Sequence, residues 1–472
     1  MDAMVDALRR GDESKAVGLI DSIEGAVQLG KCLLIASETG HPTCTRLLLA
    51  AHAVVDQAAS NDATPLYVAC GKGHDGCVQL LLAAHAAVDE AASNGGTPLY
   101  AACINDHGGC VRLLLAAHAA IDQADRNGAT PLYVACDKDH GGCVRLLLAA
   151  HAAIDQAAIN GGSPLIAACI KGHGDCTQLL LAAHATIDQA DGNGGTPLYA
   201  ACINDHGDCV RLLLAAHAAI DQAASNDATP LYVACGKGHD GCVRLLLAAH
   251  AAVDEAASNG GTPLYAACIK GHGGCVRLLL AAHAAIDQAD RNGATPLYAA
   301  CGKGHGDCVR LLLAAHAAID QAASNGCTPL IAACDKGHDD CVQLLLDAHA
   351  DVDKLTSDGV TPLYAACING HGGCVQLLLA AHAVVDQADI NGTTPLINAC
   401  TAGSMDIVKL LVHAGARIDL RSASGTALDV AEARGHKVIA RFLRSRRRAP
   451  ASILAVAPVS IAERAAAERA AE

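Results

Sequence analysis

The proline of a Thr/Ser-Pro-Leu triplet returns every 33 residues: Pro65, Pro98, Pro131, Pro164, Pro197, Pro230, Pro263, Pro296, Pro329, Pro362 and Pro395. A fixed period of this length constrains the chain to a stack of like units, each burying its apolar surface on its neighbours and not in one shared core. Eleven units carry the triplet. A degenerate unit precedes them, with Lys31-Cys32-Leu33-Leu34 in the Thr-Pro-Leu-Tyr slot and His41 and Cys44 in frame. A divergent unit follows around Gly425-Thr426-Ala427-Leu428. The expected organisation is 1–22, N-terminal capping helices of an incomplete unit; 23–58, a degenerate first repeat; 59–421, eleven regular repeats; 422–445, a C-terminal capping repeat; and 446–472, a basic, then alanine-rich, mobile tail.

The unit at 91–123, AASNGGTPLYAACINDHGGCVRLLLAAHAAIDQ, predicts turn, helix, loop, helix. Asn94-Gly95 is a tight-turn pair in which both residues tolerate positive φ. Thr97 suits a helix cap, and Pro98 suits the first turn, where its missing N–H is unpaired anyway. Leu99, Ala102 and Cys103 fall at i, i+3 and i+4 and define one apolar helix face. NDHGG breaks that helix. Cys110, Val111, Leu113, Leu114 and Leu115 open a second helix, apolar on most of its surface, as packing between neighbouring units requires. His118 ends it. In the last regular unit the equivalent position is Gly415, and histidine is among the few other residues enriched in the left-handed conformation that terminates helices.

Composition narrows the class. The chain is 52% hydrophobic, enough for a continuous core, yet no apolar run reaches the ~18 residues that span a membrane. The opening MDAMVDALRRGDESK lacks the apolar segment of a secretory signal. The 24 cysteines follow the repeat number, which points to duplication and not to a disulfide framework. Reduced thiols and a cytoplasmic location are expected. A net charge of −15 argues against a general nucleic-acid or anionic-membrane surface. No cofactor is expected, and the chain is read as a monomer.

The recurring pattern G-x-T-P-L-x-x-A-x-x-x-G-H-x-x-x-V-x-x-L-L-L resembles the ankyrin repeat from about residue 59 to 419, and the weaker end units extend it over most of 1–445. Two departures are consistent. Tyrosine (Tyr67, Tyr100, Tyr133) stands where the family usually has the histidine of TPLH, and histidine stands at the family's second-helix glycine. The resemblance implies an all-α repeat solenoid of stacked helix-turn-helix units, joined by β-hairpin-like turns into a curved superhelix. It also implies that the histidine of the Gly-His pair, as at His74, His173 and His239, holds the loop between helices.

The same resemblance implies a non-enzymatic interaction scaffold whose protein partners lie against the hairpin tips and the concave face of the first helices. The matching partner-binding candidates are Arg126 and Arg291 on hairpins, and Lys72, Asn105, Asp106, Lys138, Lys171, Asn204, Lys237, Lys270, Lys303, Lys336 and Asn369 at first-helix ends. Asp137, Asp139, Asp205 and Asp335 interleave with the lysines, and a ridge of mixed sign suits a protein better than a phosphate backbone. The chain has no Trp, one Phe and eight Tyr, all eight in the TPLY slot. Packed between units, those tyrosines would leave a recognition surface poor in the usual interface anchors, with affinity drawn from many weak contacts along the array.

There is no G-x-S-x-G, phosphate loop or HExxH. Cys103, His107 and Cys110 recur in nearly every unit, but Cys-x3-His-x2-Cys gives three ligands on two helices without a fourth, where zinc takes four converging ones. A soft-metal or redox buffer is one alternative function. Another is an adaptor that brings substrates to a ubiquitin ligase, although no ligase-binding box stands out in 1–22 or 445–472. Repetition itself is no evidence of function, because QAASNDATPLYVACGKGHDGCV at 57–78 is identical to 222–243, and QADRNGATPLY at 123–133 to 288–298. A block of five units, 165 residues, has been copied once, so two nearly alike surfaces are expected five units apart.

The ends are expected to be polar, since a terminal unit must wet one stacking face. Asp2, Asp6, Arg9, Arg10, Asp12, Glu13 and Lys15 serve at the start, and Lys437, Arg441 and Arg444 at the finish. Arg446–Arg448 is read as a solvated helix end, with a nuclear-import or acidic-partner patch as the alternative.

Overall fold

The computed structural model describes residues 1–447; the tail expectations for 448–472 fall outside the described residues. The chain divides into two compact units, Met1–Ser258 and Asn259–Glu472. Within each, the architecture is an all-α repeat solenoid. First helices pack on first helices and second helices on second helices of the neighbouring repeats.

The repeat at 98–116 shows why the sequence folds this way. Its first helix, Pro98–Ile104, starts where the Thr97 hydroxyl accepts the N–H of Tyr100, with Pro98 supplying the fixed φ of the first turn. Leu99, Ala102 and Cys103 point inward and are fully buried. The second helix, Gly108–Ala116, buries Cys110, Val111 and Leu114 completely, while Leu113 and Leu115 are half-buried. Complete burial of a leucine is worth about 1.5–3 kcal/mol, and the pattern is repeated along the array.

The second helices end as the His118–Gly415 comparison requires. His118 has φ 60°, His85 60° and His151 63°, while Gly415 has φ 93°. A left-handed conformation costs a β-carbon-bearing residue about 1–2 kcal/mol. His118→Val is therefore expected to destabilise by about that amount, because a branched side chain fits this region worst. His118→Gly is expected to stay within about 1 kcal/mol of the parent, because the relief is offset by greater freedom in the unfolded chain. Thermal unfolding of the two variants checks the order.

The turns before each first helix differ in detail from expectation. Only Gly95 of the Asn94-Gly95 pair takes positive φ, at 84°. Asn94 acts through its side chain, whose Oδ1 accepts the N–H of Gly96 at 3.0 Å. Strand pairing is confined, among the described residues, to Arg421–Ser422 with Gly425–Thr426. The other turns are linked across repeats by single backbone bonds: the Arg126 N–H donates to Asn94 O at 3.0 Å, Ile159 to Asn127 at 2.9 Å, and Ser324 to Asn292 at 2.9 Å.

A second inter-repeat bond comes from a residue the sequence does not single out. The aspartate of most Ile/Val-Asp pairs accepts a backbone N–H of the next repeat, as Asp122 does from Ala153 at 2.8 Å and Asp287 from Ala318 at 2.9 Å. At the C-terminus the last helix runs Lys437–Arg447, so Arg446 and Arg447 belong to it and not to the tail expected from 446. It buries Ile439, Ala440 and Leu443, and Arg444 pairs with Glu432 at 2.8 Å.

Candidate interaction face

The polar candidates sit at the ends of first helices and at hairpin tips, and every one is exposed. Lys72, Lys171, Lys237, Lys270, Lys303, Lys336 and Asn369 are the last residues of their helices, and Lys138, Asn105 and Asn204 are the C-caps. A cation there also complements the helix dipole. Lys138 pairs with Asp137 at 3.0 Å and Lys336 with Asp335 at 2.9 Å. The asparagines turn back on their own helices: Asn105 Nδ2 donates to Ala101 O and Asn204 Nδ2 to Ala200 O. Asn369 Nδ2 donates to Ala365 O and also to Asp335 Oδ1, at 2.9 Å. Asp106 has φ 60° and its carboxylate accepts the Cys143 thiol at 3.5 Å. It therefore joins two repeats besides facing solvent. Arg126 and Arg291 are tied to the neighbouring hairpins through their backbone N–H groups, leaving the side chains outward.

The tyrosines correct the picture of a face without anchors. Only Tyr100 and Tyr265 are buried, at 7% and 8% exposure; the other six are half-buried. Tyrosines line a cavity in each compact unit. A cavity of about 470 Å³ in the first is lined by Tyr100, Ile104 and Tyr133, with Asp137, Lys138 and the hairpin residues Asn127, Ile159 and Asn160 at its edge. A cavity of about 560 Å³ in the second is lined by Tyr265, Tyr298 and Tyr364 over Ile269, Ile331 and Ile368, with Lys303 and Lys336 among the polar residues. Tyr100, Tyr265 and Tyr364 donate their hydroxyl protons to Asp125 at 3.2 Å, Asp290 at 3.2 Å and Asp389 at 3.0 Å, which fixes the rings. Burial, with the Asp125 carboxylate beside it, pushes the Tyr100 phenol up, so it remains a donor. Of the thirteen candidates only Lys138, Lys303 and Lys336 line these cavities.

The Cys/His recurrence resolves into inter-repeat joints. Loop histidines donate a ring N–H to a carbonyl of the preceding repeat: His74 to Glu38 at 3.1 Å, His173 to Asp137 at 3.1 Å, and His239 to Cys202 at 2.9 Å. Cys110 donates to Asp75 at 3.0 Å and lies beside Cys70 of the repeat before. Burial, reinforced by Cys110 and Asp75, pushes the Cys70 thiol well up, and burial lifts Cys44 to about 11. Thr177 lies between two buried thiols, 3.9 Å from Cys169 and 3.5 Å from Cys209 of the next repeat, and the neighbouring Cys209 together with burial pushes the Cys169 thiol well up. Among the described residues, no three His, Cys, Asp or Glu side chains form a group able to hold a metal ion.

Comparison with known proteins places this geometry. A family model of three ankyrin repeats matches at residues 7–92, 75–160, 150–224, 216–290, 274–356, 315–389, 348–422 and 373–451. The chain belongs to the ankyrin-repeat family. No curated protein sequence matches it. Among solved structures, the human ASB11 ankyrin repeat domain is similar at 29% identity, covering 47% of this chain and 99% of that one, with a TM-score of 0.44. Ankyrin repeats are protein–protein interaction modules and are generally non-enzymatic. Among the described residues, no helix of this ankyrin array is long and apolar enough to cross a membrane.

Proposed function

We propose that this chain is a cytoplasmic, monomeric scaffold that holds a partner protein against the face built from first-helix ends and hairpins. The observation that carries the reading is the coincidence, within each compact unit, of a tyrosine-lined cavity with exposed lysine, asparagine and aspartate at first-helix ends and hairpins. Aromatic anchors inside a polar rim are the anatomy of a protein-binding surface. Cys110 and Cys143 donate to carboxylates of the preceding repeat, contacts that join repeats and do not favour a reactive thiol or a converging ligand set.

The test is affinity capture from source-cell lysate read by mass spectrometry, run beside a variant with Lys237, Lys270, Lys303 and Lys336 each changed to Glu. The four side chains are exposed, so the variant keeps its fold, which circular dichroism verifies. Capture is expected to fall about tenfold or more, since charge reversal at a rim weakens steering and sets like charges together. A partner captured equally by both proteins removes this face from the proposal.

A further inference from the structure

The two cavities share part of their lining through the duplicated block, and the second runs on to Tyr364 and Ile368 of a further repeat. Adding the 165-residue offset of the duplicated block turns Tyr100, Ile104, Tyr133, Lys138 and Asn160 of the first lining into Tyr265, Ile269, Tyr298, Lys303 and Asn325 of the second. The aromatic floor is thus conserved between copies, while the rim has changed. Asp137 is replaced by Gly302. In the first copy Asp137 neutralises Lys138 at 3.0 Å; in the second Lys303 makes no ion pair among the described residues. The other carboxylates on the second lining do not replace Asp137. Asp335 is held by Lys336 at 2.9 Å and by Asn369 at 2.9 Å, and Asp358 on the hairpin makes no ion pair among the described residues. Asp125 in the first copy and Asp290 in the second each accept a tyrosine hydroxyl, so at the duplicated positions the second copy is more positive by one charge, the carboxylate of Asp137.

We propose that the duplicated block carries one anchor pocket twice, each copy taking an extended protein segment by an apolar side chain set against its tyrosines, and that the free Lys303 makes the second copy select an acidic residue beside that anchor. This deepens the scaffold reading and rests on it: it gives the array two recognition sites of shared shape and different charge preference. Volumes of about 470 and 560 Å³ are in the range that holds one or two side chains with their backbone.

The second copy contains its own probe site. Cys327 lies on its lining and is the one cysteine of 24 that is not buried. The equivalent residue in the first copy is Gly162, in the same turn: Gly162 N–H donates to Asn160 Oδ1 at 3.0 Å, as Cys327 N–H does to Asn325 Oδ1 at 3.0 Å. Gly162→Cys combined with Cys327→Ser therefore moves the thiol from one cavity to the other. Each probe is a mercaptopropionyl dipeptide amide, Leu-Glu, Leu-Gln, Gly-Glu or Gly-Gln, carried as its mixed disulfide with 2-mercaptoethanol. Exchange forms the protein–probe disulfide and releases 2-mercaptoethanol. The full chain is used at mildly alkaline pH, because burial and Asp335 raise the Cys327 thiol.

The readout is the 2-mercaptoethanol concentration that halves labelling, measured by intact mass. At Cys327, Leu-Glu is expected to resist about fivefold more reductant than Gly-Glu through the buried side chain, and about threefold more than Leu-Gln through the lysine. Lys303→Gln is expected to abolish the second difference and keep the first. In the relocated variant, leucine is expected to retain its advantage and glutamate to lose its own. Equal resistance for leucine and glycine probes overturns the anchor pocket, and an acid preference that survives Lys303→Gln overturns the charge assignment. Should the relocated variant misfold, the Lys303→Gln comparison still decides. Failure here leaves the scaffold reading standing if the lysine-reversal capture experiment succeeds, so the two failures are distinguishable.

Discussion

Gly161→Ala is expected to destabilise the first compact unit by more than ~2 kcal/mol. Two costs add. Gly161 has φ +79°, where a β-carbon is strained, and that carbon would lie 2.5 Å from the Gly192 nitrogen and 3.0 Å from the Asp191 carbonyl carbon. Both neighbours are backbone of the next hairpin, fixed by the Gly192 N–H bond to Asn160 O at 3.0 Å, so neither can yield as a flexible side chain would. The damage is expected to be local to the joint, because each repeat contacts only its neighbours. Hydrogen exchange is expected to accelerate at 158–162 and 191–195 first. The control is Gly241→Ala in the helix Asp240–Ala248, where an added β-carbon meets nothing within 4 Å; it is expected to stabilise by about 0.5–1 kcal/mol, the helix preference for alanine. Equal unfolding midpoints for the two variants would contradict the joint described here.

Leu114→Ala is the substitution expected to cost most in the helical core, about 2–5 kcal/mol. Leu114 is fully buried, as are its equivalents Leu147 and Leu213, so truncation leaves a cavity as well as losing transfer free energy. Leu113→Ala, at a half-buried position of the same helix, is expected to cost less than half as much. Denaturant unfolding followed by far-ultraviolet circular dichroism ranks the two, and a reversed ranking would mean that the second helix packs by a different face.

The part of the fold written inside one repeat was legible in the residues. Proline after a capping threonine marks where Pro98–Ile104 starts, and the comparison of His118 with Gly415 marks where the second helix ends. What joins one repeat to the next was not. Asp122 reaches a backbone N–H 31 residues on, Asp106 a thiol 37 residues on, and His173 a carbonyl 36 residues back. Such bonds have no periodic signature of their own, since every copy repeats both partners. They follow only from the stacking geometry. The tyrosines fall in the same class. Their slot is shared by buried and half-buried residues, and the difference lies 25 residues on: Asp125 accepts the hydroxyl of the buried Tyr100, whereas Ala158 stands at that distance from the half-buried Tyr133. A further part was obscured by duplication, which multiplies functional and structural residues alike. The differences between the copies, Asp137 against Gly302 and Gly162 against Cys327, say more about specificity than their identities do.

Binding of partners to the first-helix and hairpin face has a signature in backbone protection. Its most direct measurement is hydrogen–deuterium exchange of the full chain with and without the captured partner. Protection is expected at the hairpins 125–127, 158–160, 290–292 and 325–327 and at the first-helix ends near Lys138, Lys303 and Lys336. Protection confined to the outward side of the second helices, where Arg112, Arg145 and Arg244 are exposed, would contradict it.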